Sequence, residues 1–144
     1  MNDEKKIELV KELARLMMVT RSQIQQQMKR HDLPCNVESV RTLDELLNHP
    51  GINSHQLCQL TGFDKAHIAR KVTEFEQKQL VYRQKDQKDK RITQLYLTTE
   101  GMDVARCCIT LRNQTVLELM AGIQPNALES LNIFLESFKA ENQK

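Results

Sequence analysis

Tryptophan is absent from this chain of 144 residues, and aromatic residues make up only 4% of it. So few aromatic rings argue against a function that depends on stacking sugars or bases on aromatic side chains. No apolar run approaches the roughly 20 residues that a membrane-spanning helix needs, and the N-terminus MNDEKKIELV lacks the apolar core of a secretory signal. We therefore expect a cytoplasmic protein with no membrane partner.

Motifs for catalysis and for metal binding are also missing. The chain has no Gly-rich phosphate loop, no Ser-His-Asp arrangement and no evident pair of catalytic carboxylates, so we expect neither enzymatic activity nor a cofactor. No Cys/His cluster has the spacing of a metal site, and no CxxC motif includes any of the four cysteines, which are Cys35, Cys58, Cys107 and Cys108. We expect no bound metal and four reduced thiols, of which the last three act as small buried apolar residues.

Cys35 is the cysteine whose surroundings favour reactivity. It follows Pro34 and precedes the N-terminus of a predicted helix, a position that can stabilise a thiolate. Two interpretations stay open: Cys35 is an inert thiol, or it makes the protein a redox sensor.

Positive charge is concentrated in one part of the chain. The formal net charge is only +2, but residues 64–91 contain nine lysines and arginines against five acids, which gives +4 and leaves −2 for the remainder. A basic segment on a nearly neutral body is typical of a surface that binds a polyanion. The length suffices for one domain with a core, or for a small core plus helices that form a dimer.

The helical spacing of apolar residues predicts six helices. Pro34 separates the first two, and Pro50 with Gly51 ends the second. The predicted spans are Glu4–Arg30, about Val37–Leu47, His55–Leu60 after an N-cap at Ser54, 64–77 with an N-cap at Asp64, a helix capped by Thr98 that runs to about Met120, and a last helix from Pro125 whose apolar face carries Leu128, Leu131, Leu135 and Phe138.

The third and fourth helices, joined by a short turn at Gly62, predict a helix-turn-helix. On the fourth helix Ile68, Val72 and Phe75 recur at i, i+4 and i+7 and predict a buried stripe. A rotation of about 100° per residue places Ala66, Arg70, Thr73 and Gln77 on the opposite face, with His67 and Glu74 beside them.

After Leu80 the apolar period changes from that of a helix to that of a strand. The segments LVYRQK and ITQLYL predict a hairpin, and its tip, DQKDKR, is too polar to pack and has three basic residues against two acids. Such a hairpin can be a solvated edge that its lysines protect from pairing with another sheet. Beside a helix-turn-helix with an outward arginine, however, it indicates a nucleic-acid-binding wing.

This order of elements resembles the MarR family of winged helix-turn-helix regulators. The resemblance is clearest in LTGFDKAHIARKVTEFEQKQLVYRQKDQKDKRITQLYLTTEG, Leu60–Gly101, with its Lys-x-Leu-Val, Asp-x-Arg and Leu-Thr-x-x-Gly patterns. It implies a mainly α single domain over residues 1–144 with a small β-hairpin wing. A winged helix-turn-helix core over 36–97 is then flanked by dimerisation helices over 4–32 and 99–141.

The resemblance also implies how DNA is bound. In this family two chains form a homodimer, each recognition helix, here 64–77, enters a major groove, and each wing, here 83–92, reaches a minor groove. The implied roles are base or phosphate contact for Lys65, Ala66, His67 and Arg70, minor-groove insertion for Arg91, and orientation of that arginine for Asp89. The chain departs from the family pattern at Ala66, where a hydroxyl residue is usual, and at Lys71, where an apolar residue is common.

Physical arguments extend this set. Arg70 can pair with guanine through two hydrogen bonds, a contact worth ~1–3 kcal/mol of discrimination. Lys65 and Lys71 flank the outward face and are better suited to phosphates, which position the protein without specifying sequence. The complete predicted DNA-binding set is Lys65, Ala66, His67, Arg70, Lys71, Thr73, Lys88, Lys90 and Arg91, with Asp89 as the residue that orients the wing.

We therefore predict a sequence-specific regulator that binds double-stranded DNA, most simply a homodimeric repressor released by a small-molecule ligand. The apolar stripes of the first, fifth and sixth helices need a partner, which a two-fold dimer supplies. We expect a pseudo-palindromic operator with half-sites about one helical turn apart. The alternatives are a winged-helix protein-interaction module without specific DNA binding and a cysteine-based redox regulator. No motif locates the ligand pocket.

Overall fold

Six helices and one antiparallel hairpin make up residues 1–142, the part of the chain that the computed structural model describes. In chain order they are α1 (Asp3–Arg30), α2 (Ser39–Asn48), α3 (Ser54–Thr61), α4 (Lys65–Gln77), β1 (Val81–Lys85), β2 (Thr93–Leu97), α5 (Thr99–Met120) and α6 (Pro125–Asn142). The predicted fold class is confirmed: the protein is mainly α, and a small hairpin wing follows the helix-turn-helix in the chain.

Side chains and backbone geometry at the helix ends explain most of the boundaries. Asp64 accepts a hydrogen bond from the backbone N–H of His67 (2.7 Å), and Thr98 accepts one from that of Gly101 (2.9 Å), so both predicted N-caps are confirmed. The predicted N-cap at Ser54 is wrong. Asn53 caps α3 instead, since its side chain and that of Gln56 satisfy each other's backbone N–H groups in a capping box.

The predicted stripe of α4 lies at the centre of the core. Ile68, Val72 and Phe75 are each at most 1% exposed. They pack into a core built from the C-terminal half of α1, from α2, α3, α5 and from the inner face of the hairpin. Burying each such side chain contributes about 1.5–3 kcal/mol, so the rotation of α4 about its axis is strongly determined.

The hairpin is joined closely to the body of the protein. Its strands pair from Val81 with Leu97 to Lys85 with Thr93, and Leu95 also forms a bridge with Ile52. At the start of α5, a Cβ added to Gly101 would collide with the carbonyl oxygen of Leu80. The approach of α5 to the start of β1 therefore requires glycine at this position.

The terminal helices leave much apolar surface uncovered. On α1, Ile24 and Met28 are buried, but Val10 and Met17, nearer the start of the same helix, are 65% and 68% exposed. No residue of α6 is buried. Other exposed apolar residues on α1 and α6 are Ile7, Leu9, Leu16, Met18, Val19, Leu128, Ile133, Phe134, Leu135 and Phe138. None of the helices in residues 1–142 is long and apolar enough to cross a membrane.

Candidate nucleic-acid interface

The outward face of α4 carries four of the nine predicted contact residues. Lys65, Ala66, Arg70 and Thr73 are exposed on it. This arrangement follows from the buried stripe, since the three apolar residues hold the opposite side of the helix in the core. Arg70 lies near the middle of this face, where its planar guanidinium is accessible to a base edge or a phosphate.

Lys71 does not lie on this face, and the prediction that it flanks the exposed surface is wrong. It is only 7% exposed. Its ammonium donates to Ser39 Oγ (3.2 Å), to Asn36 Oδ1 (3.4 Å) and to Glu74 Oε2 (3.4 Å). The physical reason is helix periodicity, because Lys71 stands three residues after Ile68 and is therefore on the buried side. Its charge is neutralised inside the protein.

His67 is also more enclosed than its position beside the outward face suggested. Its side chain is 19% exposed and its ring stacks on Phe63, with the centroids 4.2 Å apart. Its Nε2 lies 3.3 Å from a carboxylate oxygen of Glu38. The guanidinium of Arg41 lies 6.0 Å from the same Phe63 ring, within range of a cation–π interaction. Sequence reasoning missed Glu38, since no local pattern links it to α4.

The wing tip is organised by two aspartates. Asp86 Oδ1 accepts hydrogen bonds from the backbone N–H groups of Lys88 (2.7 Å) and Asp89 (3.1 Å), which shapes the turn. Asp89 then binds Arg91 with both carboxylate oxygens, at 3.1 Å from Nε and 3.2 Å from one terminal nitrogen. This pairing holds the pKa of Asp89 below its usual value. Arg91 nevertheless stays 91% exposed.

Residues at the C-terminal end of α4 contact both the wing and the α1–α2 connection. Arg83 of β1 donates to the carboxylate of Glu76. At the other side Lys78 donates to the carbonyl oxygen of Pro34 and to Glu74 Oε1, the latter at 2.9 Å. The Lys78 hydrogen bond lowers the pKa of Glu74, although partial burial acts in the opposite direction. Helix α4 is thus tied to a strand and to a loop.

The cysteines form a pair that the sequence did not indicate. All four are free thiols, but Cys35 Sγ lies 3.5 Å from Cys108 Sγ. Both side chains are buried, whereas the other two cysteines, Cys58 and Cys107, are partly buried and pack against the hydrophobic core. Within residues 1–142 no group of three or more His, Cys, Asp or Glu side chains is arranged to hold a metal ion.

A helix-turn-helix with a basic two-stranded wing defines a winged helix-turn-helix protein. Residues 36–93 match the model of the MarR family. Over this segment the resemblance to the MarR family noted in the sequence is confirmed.

Solved structures share this fold over nearly the whole chain. They include the transcriptional regulator SlyA (20% identity, 92% of each chain, TM-score 0.81) and the DNA complex of S. aureus MepR (16% identity, 98% of each chain, TM-score 0.77). A third is CouR of Rhodococcus jostii RHA1 bound to p-coumaroyl-CoA (20% identity, 88% of this chain and 87% of that one, TM-score 0.74). At these identities the similarity establishes the fold alone. A comparison with curated protein sequences found no match.

Proposed function

We propose that this protein is a homodimeric, sequence-specific DNA-binding regulator that acts as a repressor. The observation that carries the proposal is the presentation of exposed cationic side chains on two joined elements, Arg70 on α4 and Arg91 on the wing. Helix α4 reads base edges in the major groove, and Arg91 enters a minor groove, whose narrow form concentrates negative potential. The DNA complex of MepR, which shares the fold, supports this use of the fold.

The dimer covers the apolar surface of the terminal helices. Segments 4–32 and 99–141 pair with their copies, while 36–97 forms the DNA-binding lobe. The exposed residues Met17 on α1 and Phe134 on α6 belong to this surface, and single chains rarely leave so many large apolar side chains open to water on their terminal helices. A two-fold axis then presents two recognition helices to a pseudo-palindromic operator with half-sites about one helical turn apart.

A small-molecule effector releases the DNA. CouR, which shares the fold, has p-coumaroyl-CoA bound. An effector acts only if it binds the DNA-free arrangement of the two lobes more tightly than the DNA-bound one. The proposal names no pocket residues.

Selection of bound sequences from random duplex DNA at two salt concentrations tests the proposal. We expect a pseudo-palindromic consensus and an affinity that falls with salt, the logarithmic slope being about −0.9 per neutralised phosphate. The variant R70A/R91A should lose the consensus, whereas R106A, which removes an exposed arginine from α5, should keep it. No preference among duplexes at low salt would instead favour a winged-helix module that binds proteins.

A further inference from the structure

The thiols of Cys35 and Cys108 meet although 73 residues separate them in the sequence. Cys35 lies in the connection between α1 and α2, and Cys108 lies within α5. Cys35 keeps 8% of its surface exposed, whereas Cys108 has none. A small oxidant can therefore reach Cys35 first. Within the described residues, the only thiol in contact with the sulfur of Cys35 is that of Cys108.

The charges around this pair give the two sulfurs different roles. The hydrogen bond from the Cys108 thiol lowers the pKa of Cys35, and the ammonium groups of Lys78 and Lys71 act in the same direction, against burial and the carboxylate of Glu74. The same hydrogen bond and burial raise the pKa of Cys108. Cys35 is thus the nucleophile and Cys108 the protonated thiol that responds to it.

We propose that Cys35 and Cys108 are a redox site that a hydroperoxide converts to an intrachain disulfide. The Cys35 thiolate attacks the terminal oxygen of the hydroperoxide, and the O–O bond breaks to give a Cys35 sulfenic acid and the alkoxide of the oxidant, which is hydroxide when the oxidant is hydrogen peroxide. The Cys108 sulfur then attacks the sulfenic sulfur, the S–O bond breaks, and the Cys108 proton leaves with the hydroxyl group as water. Peroxide is reduced by two electrons and the two thiols are oxidised. A dithiol reductant reverses the bond.

Bond formation pulls on residues that hold the recognition helix. The sulfurs must approach by about 1.5 Å, since they lie 3.5 Å apart and a disulfide bond measures about 2.05 Å. Cys35 stands between Pro34, whose carbonyl accepts from Lys78, and Asn36, whose side chain accepts from Lys71. Moving Cys35 therefore displaces two anchors of α4. A change in DNA affinity on disulfide formation rests on the proposed DNA-binding function, whereas formation of the disulfide itself does not.

Peptide mapping tests the disulfide without DNA. The variant C58S/C107S retains only the proposed pair, and after peroxide we expect it to lose two hydrogen atoms in mass, to have no free thiols and to run as a monomer on a non-reducing denaturing gel. Adding C108S, or C108A as a second form, should stop the reaction at an oxidised Cys35. A cross-link between chains, or two thiols that survive peroxide, would overturn the proposal.

Hydrogen exchange and DNA binding test the coupling. Disulfide formation should speed amide exchange in residues 64–78 and weaken binding to a selected duplex about tenfold, both reversed by a dithiol reductant. C107S is the matched control, because it removes the neighbouring thiol and should respond as the parent does. A disulfide that leaves exchange in α4 unchanged would overturn the coupling. If the reduced protein binds no duplex while the exchange change occurs, the proposed function fails and the redox site stands.

Discussion

Lys71 donates to the hydroxyl oxygen of Ser39 across 3.2 Å, and this contact joins α4 to the first residue of α2. A lysine on the proposed recognition helix thus holds that helix to the rest of the protein. The basic residues of α4 therefore fall into two groups, the buried Lys71 and the exposed Lys65 and Arg70.

Replacing Lys71 tests this separation. We expect K71A to lower the free energy of unfolding by about 1–3 kcal/mol, because buried polar partners lose their donor. It should leave the salt dependence of DNA binding unchanged. The control K65A, on the exposed side of the same helix, should do the reverse: stability stays within about 0.5 kcal/mol and the salt slope falls by about 1. Urea unfolding and affinity at several salt concentrations measure both, and a reduced slope in K71A would place Lys71 at a phosphate.

Arg70 should provide sequence discrimination rather than charge alone. R70A is expected to weaken binding to the preferred duplex by about 1–3 kcal/mol and to relax the preference at one base pair of each half-site. R70K keeps the charge but loses the planar fork, so it should retain the salt slope and still lose the base preference. Equal affinities of R70K for the original and the substituted duplex support the assignment, and preserved discrimination contradicts it.

Replacing Asp89 should weaken DNA binding, although the change in charge alone would strengthen it. D89A removes a negative charge from a basic wing, yet we expect it to weaken DNA binding about two- to tenfold, because Arg91 then has to be ordered at the moment of insertion. The control D103A removes an equal charge from an exposed ion pair on α5 and should not weaken binding. Titration of a fluorescent duplex measures both affinities. Tighter binding by D89A argues against the pairing as a source of order.

Gly101 should be irreplaceable for reasons of space. In most helices alanine is more stable than glycine by roughly 0.5–1 kcal/mol. Here the added Cβ meets the backbone oxygen of Leu80, so G101A should destabilise the fold by about 1–3 kcal/mol or more. Gly122 offers a matched control, since nothing lies within 4 Å of a Cβ at that position. Thermal unfolding of both variants measures the difference, and equal melting temperatures contradict the argument.

The exposed apolar residues of the terminal helices predict where the dimer is held. M17E on α1 and F134E on α6 should each shift the protein towards monomers, because a buried carboxylate at the interface has no partner. L60E places the same charge on an exposed apolar residue of α3 and should leave the mass unchanged. Light scattering at micromolar concentration measures this, and an unaltered mass for both terminal variants rules out these helices as the interface.

The amino-acid sequence itself determined the helices, the hairpin and the outward face of α4. The order of six helices and one hairpin, the caps at Asp64 and Thr98 and the buried stripe of α4 all depend on residues a few positions apart. Interactions at this range, such as helix periodicity, capping and strand alternation, leave patterns in the sequence itself. The outward position of Arg70 followed from the same periodicity.

The tertiary structure alone decided which side chains meet across the fold. Lys71 reaches Ser39 over 32 positions, His67 lies against Glu38, and Cys35 meets Cys108 over 73. No local pattern marks such pairs, because the partners lie on different elements that only the folded chain brings together: α4 meets the start of α2, and the α1–α2 connection meets α5. Burial then changes what each group can do: it converts a predicted phosphate-binding lysine into an internal tie, and it gives an isolated thiol a partner.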